Sequence, residues 1–542
     1  MRDIDFLIIG SGIAGLSAAI KLAKSGRVTI LTKKTATDTA TIYAQGGVAC
    51  VVSDNDTFDL HELDTIRAGD GLSHEDVVNH VVTSGPERIH ELQKFGIEFS
   101  TYMGDPNHLD LGREGGHSRR RVLHIQDITG QGLEKTLYDR AISEPNITIL
   151  EYHIAVDLIR ESKIDGKDIN DPGHERILGA YVLDVKNNII ITFLSPVVIL
   201  ATGGAGKVYL YTSNPDIASG DGIALAYRAG ARVANLEFVQ FHPTCLYHPL
   251  AKNFLISEAL RGEGAMLLDK RGNRFMEKYS QMKEMANRDI VSRAIDMELK
   301  KSGDDCVFLD ITHKSPDFVI TRFPQIHQTC LKFGIDITKE LIPVVPAAHY
   351  MCGGVVTNIW GETDIKGLFA LGETACTGLH GANRLPSNSL LEGVVFPHQT
   401  FLRLSDKEYL ADILKNFDKV SQKVRVWDKG IAVDLQEAVI VSHNWDIIRR
   451  LMWNYVGIVR SNKRLELALQ RIKPILEEID SHYWEYILTS DFTELRNLAL
   501  VAKLIIQSAF LRKESRGCHF NQDYPAKDDW NWRRDTVLSK FN

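Results

Sequence analysis

Asp5-Phe6-Leu7-Ile8-Ile9-Gly10-Ser11-Gly12-Ile13-Ala14-Gly15 decides the fold. Phe6 to Ile9 is a short apolar run, the pattern of a strand buried on both faces of a parallel sheet. It meets G-x-G-x-x-G. A helical stretch follows from Leu16 to about Lys24, with Leu16, Ile20 and Ala23 on one face. Gly26 stops it, and Val28-Thr29-Ile30-Leu31 reads as a second strand. In this strand–turn–helix setting Gly10 permits the tight turn. Gly12 lets a pyrophosphate approach the backbone, and Gly15 lets helix and strand pack closely. The helix N-terminus adds free N–H groups and a partial positive charge. Gly10, Ser11, Gly12, Ile13, Ala14 and Gly15 are therefore a candidate dinucleotide cradle.

An acidic residue usually ends the second strand of such a unit and binds a ribose hydroxyl. Here the strand ends Thr32-Lys33-Lys34. That disfavours NAD and leaves NADP or a flavin dinucleotide. Two later segments favour flavin. Val197-Val198-Ile199-Leu200-Ala201-Thr202-Gly203-Gly204 is a buried strand ending in a glycine turn. Gly367-Leu368-Phe369-Ala370-Leu371-Gly372-Glu373 is another, and its terminal carboxylate can accept hydrogen bonds from ribityl hydroxyls. An NADP dehydrogenase would rest on Lys33 and Lys34 alone.

Composition sets outer bounds. A chain of 542 residues implies about three or four folding units. With 44% hydrophobic and 25% charged residues it is ordinary globular material, not a disordered, collagen-like or disulfide-stapled chain. A net charge of −7 opposes a general nucleic-acid binder, whose affinity rests on a cationic surface. The seven cysteines form no C-x-x-C pair, so no metal centre is expected and reduced thiols in a cytoplasmic protein are. No run of about 18 apolar residues exists, so no membrane span is expected. Met1-Arg2-Asp3-Ile4-Asp5 runs straight into the first strand, unlike a signal peptide.

An ordered set of motifs follows: Ala40-Thr41-Ile42-Tyr43-Ala44-Gln45-Gly46-Gly47, Gln240-Phe241-His242-Pro243-Thr244, Arg261-Gly262-Glu263-Gly264-Ala265, His349-Tyr350-Met351-Cys352-Gly353-Gly354 and Gly381-Ala382-Asn383-Arg384-Leu385-Pro386-Ser387-Asn388-Ser389-Leu390-Leu391-Glu392. This set resembles the succinate dehydrogenase/fumarate reductase flavoprotein family, from Ile4 to about Pro525. The resemblance implies an α/β fold with a Rossmann-like FAD-binding domain (1–235 and 351–418). It adds an inserted α+β capping domain (236–350) and a C-terminal helical domain (419–542). Periodicity supports the last independently. Leu465, Leu469, Ile472, Leu476 and Ile479 recur at helical spacing, as do Leu495, Leu498, Ala502, Ile505 and Ala509.

Two features select a branch of the family. Its membrane-complex members carry a histidine, joined covalently to FAD, where this chain has Ala40, so FAD is expected to be non-covalent. Leu111-Gly112-Arg113-Glu114-Gly115-Gly116-His117-Ser118 resembles the segment that places a glutamate at a substrate amino group in the L-aspartate-oxidising branch. That branch oxidises L-aspartate to iminoaspartate and passes the electrons to oxygen, giving hydrogen peroxide, or to fumarate, giving succinate. It opens NAD biosynthesis, where quinolinate synthase consumes the product. The other readings are a soluble fumarate reductase, a succinate dehydrogenase flavoprotein subunit, or a flavin-binding interaction protein without turnover.

The resemblance also nominates residues. His349 and Arg384 would hold one substrate carboxylate, and His242 and Ser257 the other, with Gln240 nearby. Ser257 stands where the family often has Thr. Glu114 would bind the ammonium. Arg288 would donate the proton in fumarate reduction, which is physically awkward because guanidinium holds its proton to above about pH 12. Other cations beside it or a proton relay would have to help. For FAD, Lys33 would sit near the adenosine. Ala40, Thr41, Ala44, Gln45, Gly46 and Gly47 would line the isoalloxazine and its linker. Asp221 and Glu373 would be further contacts, and Ser389 and Leu390 would begin a helix facing the flavin pyrimidine edge. The run Arg119-Arg120-Arg121 is expected to be a solvated face or an ion-pair partner.

Overall fold

A computed structural model describes the chain apart from residues 1–3, 103–104, 106–107, 127, 165, 167–174, 252–253, 434–438 and 542, so the opening Met1-Arg2-Asp3 lies outside the described residues. Phe6–Ile9 takes the centre of a five-stranded parallel sheet. The order is Leu368–Ala370, Val197–Leu200, Phe6–Ile9, Val28–Thr32, Ile147–Glu151. Strand alternation sends side chains to two different cores. Leu7, Ile9, Leu31, Val198 and Leu368 enter one, and Phe6, Ile8, Ile30, Ile199 and Phe369 the other. Burial on both faces is why these segments read as unbroken apolar runs.

The first helix is Ile13–Leu22, beginning three residues before the expected Leu16 because extended Gly12 is its N-cap. It is buried on every side and crosses the helix Asn388–Ser405 closely. A Cβ on Gly393 would lie 2.8 Å from Ile13 Cγ2.

Between the two halves of this sheet the chain builds an antiparallel one from Val239–Leu246, Ile342–Met351, Val307–Asp310 and Met266–Leu268. Helices Glu258–Gly262 and Arg288–Ser302 pack on it around Leu260, Leu267, Ile295 and Leu309. Its first and last strands in the chain are paired with each other, so this α+β unit stands on a two-stranded stem.

Three long helices, Val439–Val456, Asn462–Glu485 and Ser490–Leu511, close the chain on the core that holds Leu7 and Leu200. Leu495, Leu498, Ala502, Ile505 and Ala509 are all buried. In the preceding helix the buried seam is Leu465, Ala468, Ile472, Ile475 and Ile479. Leu469 and Leu476 pack on its flank instead, since apolar size rather than seam position made them conspicuous in the sequence. Among the described residues no helix is long and apolar enough to cross a membrane.

Candidate functional site

The glycine turn is shaped by close approaches. Gly10 has φ +113°, and a Cβ there would fall 2.1 Å from Ala201 O. A Cβ on Gly15 would fall 2.1 Å from Gly10 O, and one on Gly12 3.2 Å from Thr41 Oγ1. Ile13 N donates to Thr41 Oγ1 at 3.1 Å, and Ser11 Oγ to Ala36 O at 2.8 Å. The cradle and the Ala40–Gly47 loop therefore form one surface. Ala40 is the N-cap of a short turn, Thr41–Tyr43. Ala44, Gln45 and Gly46 remain part-exposed, while Gly47 is buried and a Cβ there would meet Leu123 O at 2.1 Å.

The other cofactor candidates border this surface. Lys33 is ion-paired with Asp221 at 2.7 Å. Glu373 accepts from Met351 N at 3.0 Å, and burial pushes its carboxyl up to about 7. A Cβ on Gly204 would collide with Glu373 Oε1 at 2.3 Å. Ser389 and Leu390 lie in the first turn of Asn388–Ser405, directly after Ser387, which has φ +66°. Beside the cradle, buried Thr39 Oγ1 and both oxygens of Glu134 have no protein partner. A glycine-floored surface with unsatisfied buried polar atoms and a helix N-terminus fits a flavin dinucleotide.

The substrate candidates converge on the stem of the cap. Gln240 is opposite Tyr350 and Phe241 opposite Ala348, so His349 is the extra residue of a bulge. Bulges re-aim side chains, and this one brings the His349 ring within 5.6 Å of the His242 ring. Ser213 Oγ and His349 Nδ1 share a hydrogen bond of 2.8 Å. Thr244 N donates to His242 Nδ1 at 3.2 Å, leaving Nε2 buried without a partner. Burial, then Arg288 and Arg261, push His242 well below the usual imidazole range. Burial, then Arg384 and Arg288, do the same to His349. Neutral His242 with an accepting Nδ1 carries its proton on Nε2, an unused donor.

Arg384 is buried over the Tyr350 ring at 4.5 Å and donates to Ser389 Oγ at 2.8 Å and Gln240 Oε1 at 3.3 Å. Gln240 Nε2 in turn donates to Asn383 Oδ1 at 2.7 Å and Arg384 O at 2.9 Å. Arg288 begins its helix and donates from Nε to Glu258 Oε2 at 2.7 Å, while one terminal nitrogen is buried without a partner. Ser257 caps Glu258–Gly262, accepting from Ala259 N at 3.3 Å. Arg261, fully buried, lies 3.5 Å from the same Glu258 oxygen. Burial raises the Glu258 carboxyl, but Arg288 and Arg261 outweigh it and hold it below the usual range. Three guanidiniums and two neutral imidazoles against the Glu258 carboxylate, with Glu114 at the edge, make a net cationic pocket suited to a dianion.

Glu114 joins from the flavin side. Ser387 Oγ donates to Glu114 Oε2 at 2.7 Å and accepts from Gly47 N at 3.3 Å. A Cβ on Gly46 would lie 2.5 Å from Glu114 Oε1, and one on Gly115 2.8 Å from Glu258 Oε1. The Glu114 loop thus touches both the cofactor surface and the cap.

Glu258 and Ser213 escaped the sequence reading, and Arg261 and Ser387, present in its motifs, received no role there. The (i, i+3) spacing of Glu258 and Arg261 beside Ser257 was the available signal. The arginine run divides: Arg119 and Arg120 are exposed, whereas Arg121 is fully buried and is no part of a solvated face. It is ion-paired with Asp56 at 2.7 Å and Asp64 at 2.6 Å.

The chain is similar to known proteins along nearly its whole length. A family model described as FAD binding domain matches residues 5–390, and one described as fumarate reductase flavoprotein C-term matches 446–542. L-aspartate oxidase 1 of Ralstonia nicotianae is 51% identical over 96% of each chain. L-aspartate oxidase of Pseudomonas aeruginosa is 51% identical over 98% of this chain and 97% of that protein. A solved structure of E. coli quinol fumarate reductase superposes with a TM-score of 0.84 at 30% identity, covering 98% of this chain and 93% of the other.

Proposed function

The chain belongs to the succinate dehydrogenase/fumarate reductase flavoprotein family, and from that premise we propose how its residues divide the work. It is an FAD-dependent enzyme that oxidises L-aspartate to iminoaspartate in NAD biosynthesis, with aspartate and fumarate as substrates. The observation that carries the residue assignment is the convergence of Arg288, Arg384, His242 and His349, with Glu114 at its edge.

Two substrate carboxylates entering this cleft lose their water, and unpaired each would cost several kcal/mol. Arg384 and His349 take one. His242, through its free Nε2–H, and Ser257 take the other. Gln240 keeps the Arg384 guanidinium in place. Glu114 receives the ammonium, and Ser387 fixes its carboxylate. Bound FAD supplies the acceptor for the substrate's hydride. In the fumarate direction Arg288 delivers a proton from its terminal nitrogen and is left neutral; Glu258, ionised at rest, takes up a proton drawn from solvent by way of Arg261 and returns it to the guanidine. That chain of three groups is the relay a guanidinium donor needs.

Gly10 to Gly15, Lys33, Ala40 to Gly47, Asp221, Glu373, Ser389 and Leu390 hold FAD. Ala40 offers no nucleophile, so the cofactor is held without a covalent bond. Oxygen serves as the alternative acceptor, giving hydrogen peroxide. An imine is prone to hydrolysis in water, which favours prompt use of the product by quinolinate synthase, in the cytoplasm. An anaerobic visible spectrum tests the reading. L-aspartate alone should bleach the flavin band. Bleaching by succinate alone would move the chain to the dehydrogenase branch and make Glu114 incidental. Acid precipitation should release the flavin.

A further inference from the structure

The second strand of the nucleotide unit ends in lysines where a ribose normally meets a carboxylate. Carboxylates arrive there by another route. Lys33 Nζ reaches Asp221 Oδ2 at 2.7 Å, Ser219 Oγ at 2.6 Å and, from the C-terminal helix Ser490–Leu511, Glu494 Oε1 at 3.3 Å. Asp221 is already occupied, since Ser219 Oγ and Asn497 Nδ2 both donate to its other oxygen at 2.9 Å. Among the described residues Lys33 is the one polar partner of Glu494, whose side chain keeps 13% exposure. Its second oxygen is thus available to a ligand hydroxyl. Glu151, ending the neighbouring strand, is turned to the Ala36 amide at 2.8 Å.

One ammonium between two carboxylates leaves a net negative charge. A hydroxyl donating to it makes a charge-assisted bond, whereas a phosphate is repelled. Lys33, the lysine at the strand end, is consumed by these carboxylates, while Lys34 stays part-exposed with Asp38 4.0 Å away. Asn497 fixes the position of the helix by bridging Asp221 and, at 2.7 Å, Arg228. We propose that Glu494 is the ribose-binding carboxylate of the FAD site, delivered by the C-terminal helix and steadied by Lys33, and that its charge rejects a 2′-phosphorylated dinucleotide. The C-terminal helices then complete the cofactor site rather than merely covering it.

The test is FAD release from diluted holoenzyme, followed by the fluorescence of free flavin. Glu494→Gln should release FAD about tenfold faster, the loss of one charge-assisted bond. Holoenzyme carrying an FAD whose adenosine 2′-hydroxyl is replaced by hydrogen should release it equally fast from wild type and variant. Equal release of FAD itself by the two proteins overturns the proposal. So does an equal acceleration for FAD and the deoxy analogue, which a loosened fold would give. If Glu494→Gln retains no FAD, Glu494→Asp is measured in its place, with the same contrast between cofactor and analogue expected.

Discussion

Arg288 Nε lies 2.7 Å from Glu258 Oε2, and under the proposed function that contact makes the guanidinium the end of a proton path. Arg261, 3.5 Å from the same oxygen, stabilises the ionised form that must accept the next proton. Glu258→Gln keeps the shape and removes the proton acceptor. Fumarate reduction by the FAD-loaded variant should fall about 10²–10⁴-fold, the usual weight of a positioned acid or base. Rapid bleaching of the flavin by L-aspartate should change much less. The two half-reactions, followed separately by stopped flow, check this. Equal losses in both would mean that Glu258 only shapes the pocket.

Glu114 is held by Ser387 at 2.7 Å, on the flavin side of the cleft. Fumarate has no ammonium for it to receive. Glu114→Gln should therefore raise the KM for L-aspartate roughly ten- to hundredfold, the value of a charge-assisted contact in a dry site. The KM for fumarate should hold within about twofold. Initial-rate kinetics with each substrate decide it, and a parallel rise in both constants would sink the ammonium assignment.

The legible parts of this protein were those encoded locally. Gly10 to Gly15 needs only a strand before it and a helix after it, and both are written in adjacent residues. The stripe Leu495 to Ala509 is a single helix face. Recognition of the substrate residues required several distant motifs taken together. Nothing near His349 reports that a bulge re-aims it, because the bulge is a property of its pairing with Gln240 and Phe241. Glu258 was overlooked because its meaning comes from Arg288, thirty positions on. Arg121 shows the same limit in reverse. Three consecutive arginines read as a solvated face or as ion-pair partners, and only the fold, by bringing Asp56 and Asp64 to it, picks out the third as the buried partner.

That buried pairing has a measurable consequence. Arg121 donates to Asp56 through two nitrogens at 2.7 Å and 2.8 Å, and to Asp64 at 2.6 Å. Removing one partner of a buried ion pair strands the other charge, at a cost of about 3–5 kcal/mol. Arg121→Met should lower the unfolding free energy of the holoenzyme by an amount of that order, and the midpoint with it. Adding Asp56→Asn and Asp64→Asn to Arg121→Met should restore part of it, because fewer charges are then left unpaired. Denaturant titration measures both, and a triple variant no better than the single one would locate the loss in packing.

Glu134 predicts how stability responds to alkali. It is buried in the helix Thr129–Ser143, and burial pushes its carboxyl up to about 8. In the unfolded chain a glutamate loses its proton near pH 4.3. Between those limits the unfolded state has released a proton that the folded state still holds, so rising pH favours unfolding. The contribution is fully present below about pH 4.3 and is lost by about pH 8. Glu134→Gln cannot ionise and escapes this loss. Its unfolding temperature relative to wild type should climb from about pH 5 to pH 8 and then level off, by an amount corresponding to a few kcal/mol. Thermal unfolding of both holoenzymes across that range is the measurement. A difference that stays constant with pH would show that the wild-type carboxyl is already ionised in the folded protein.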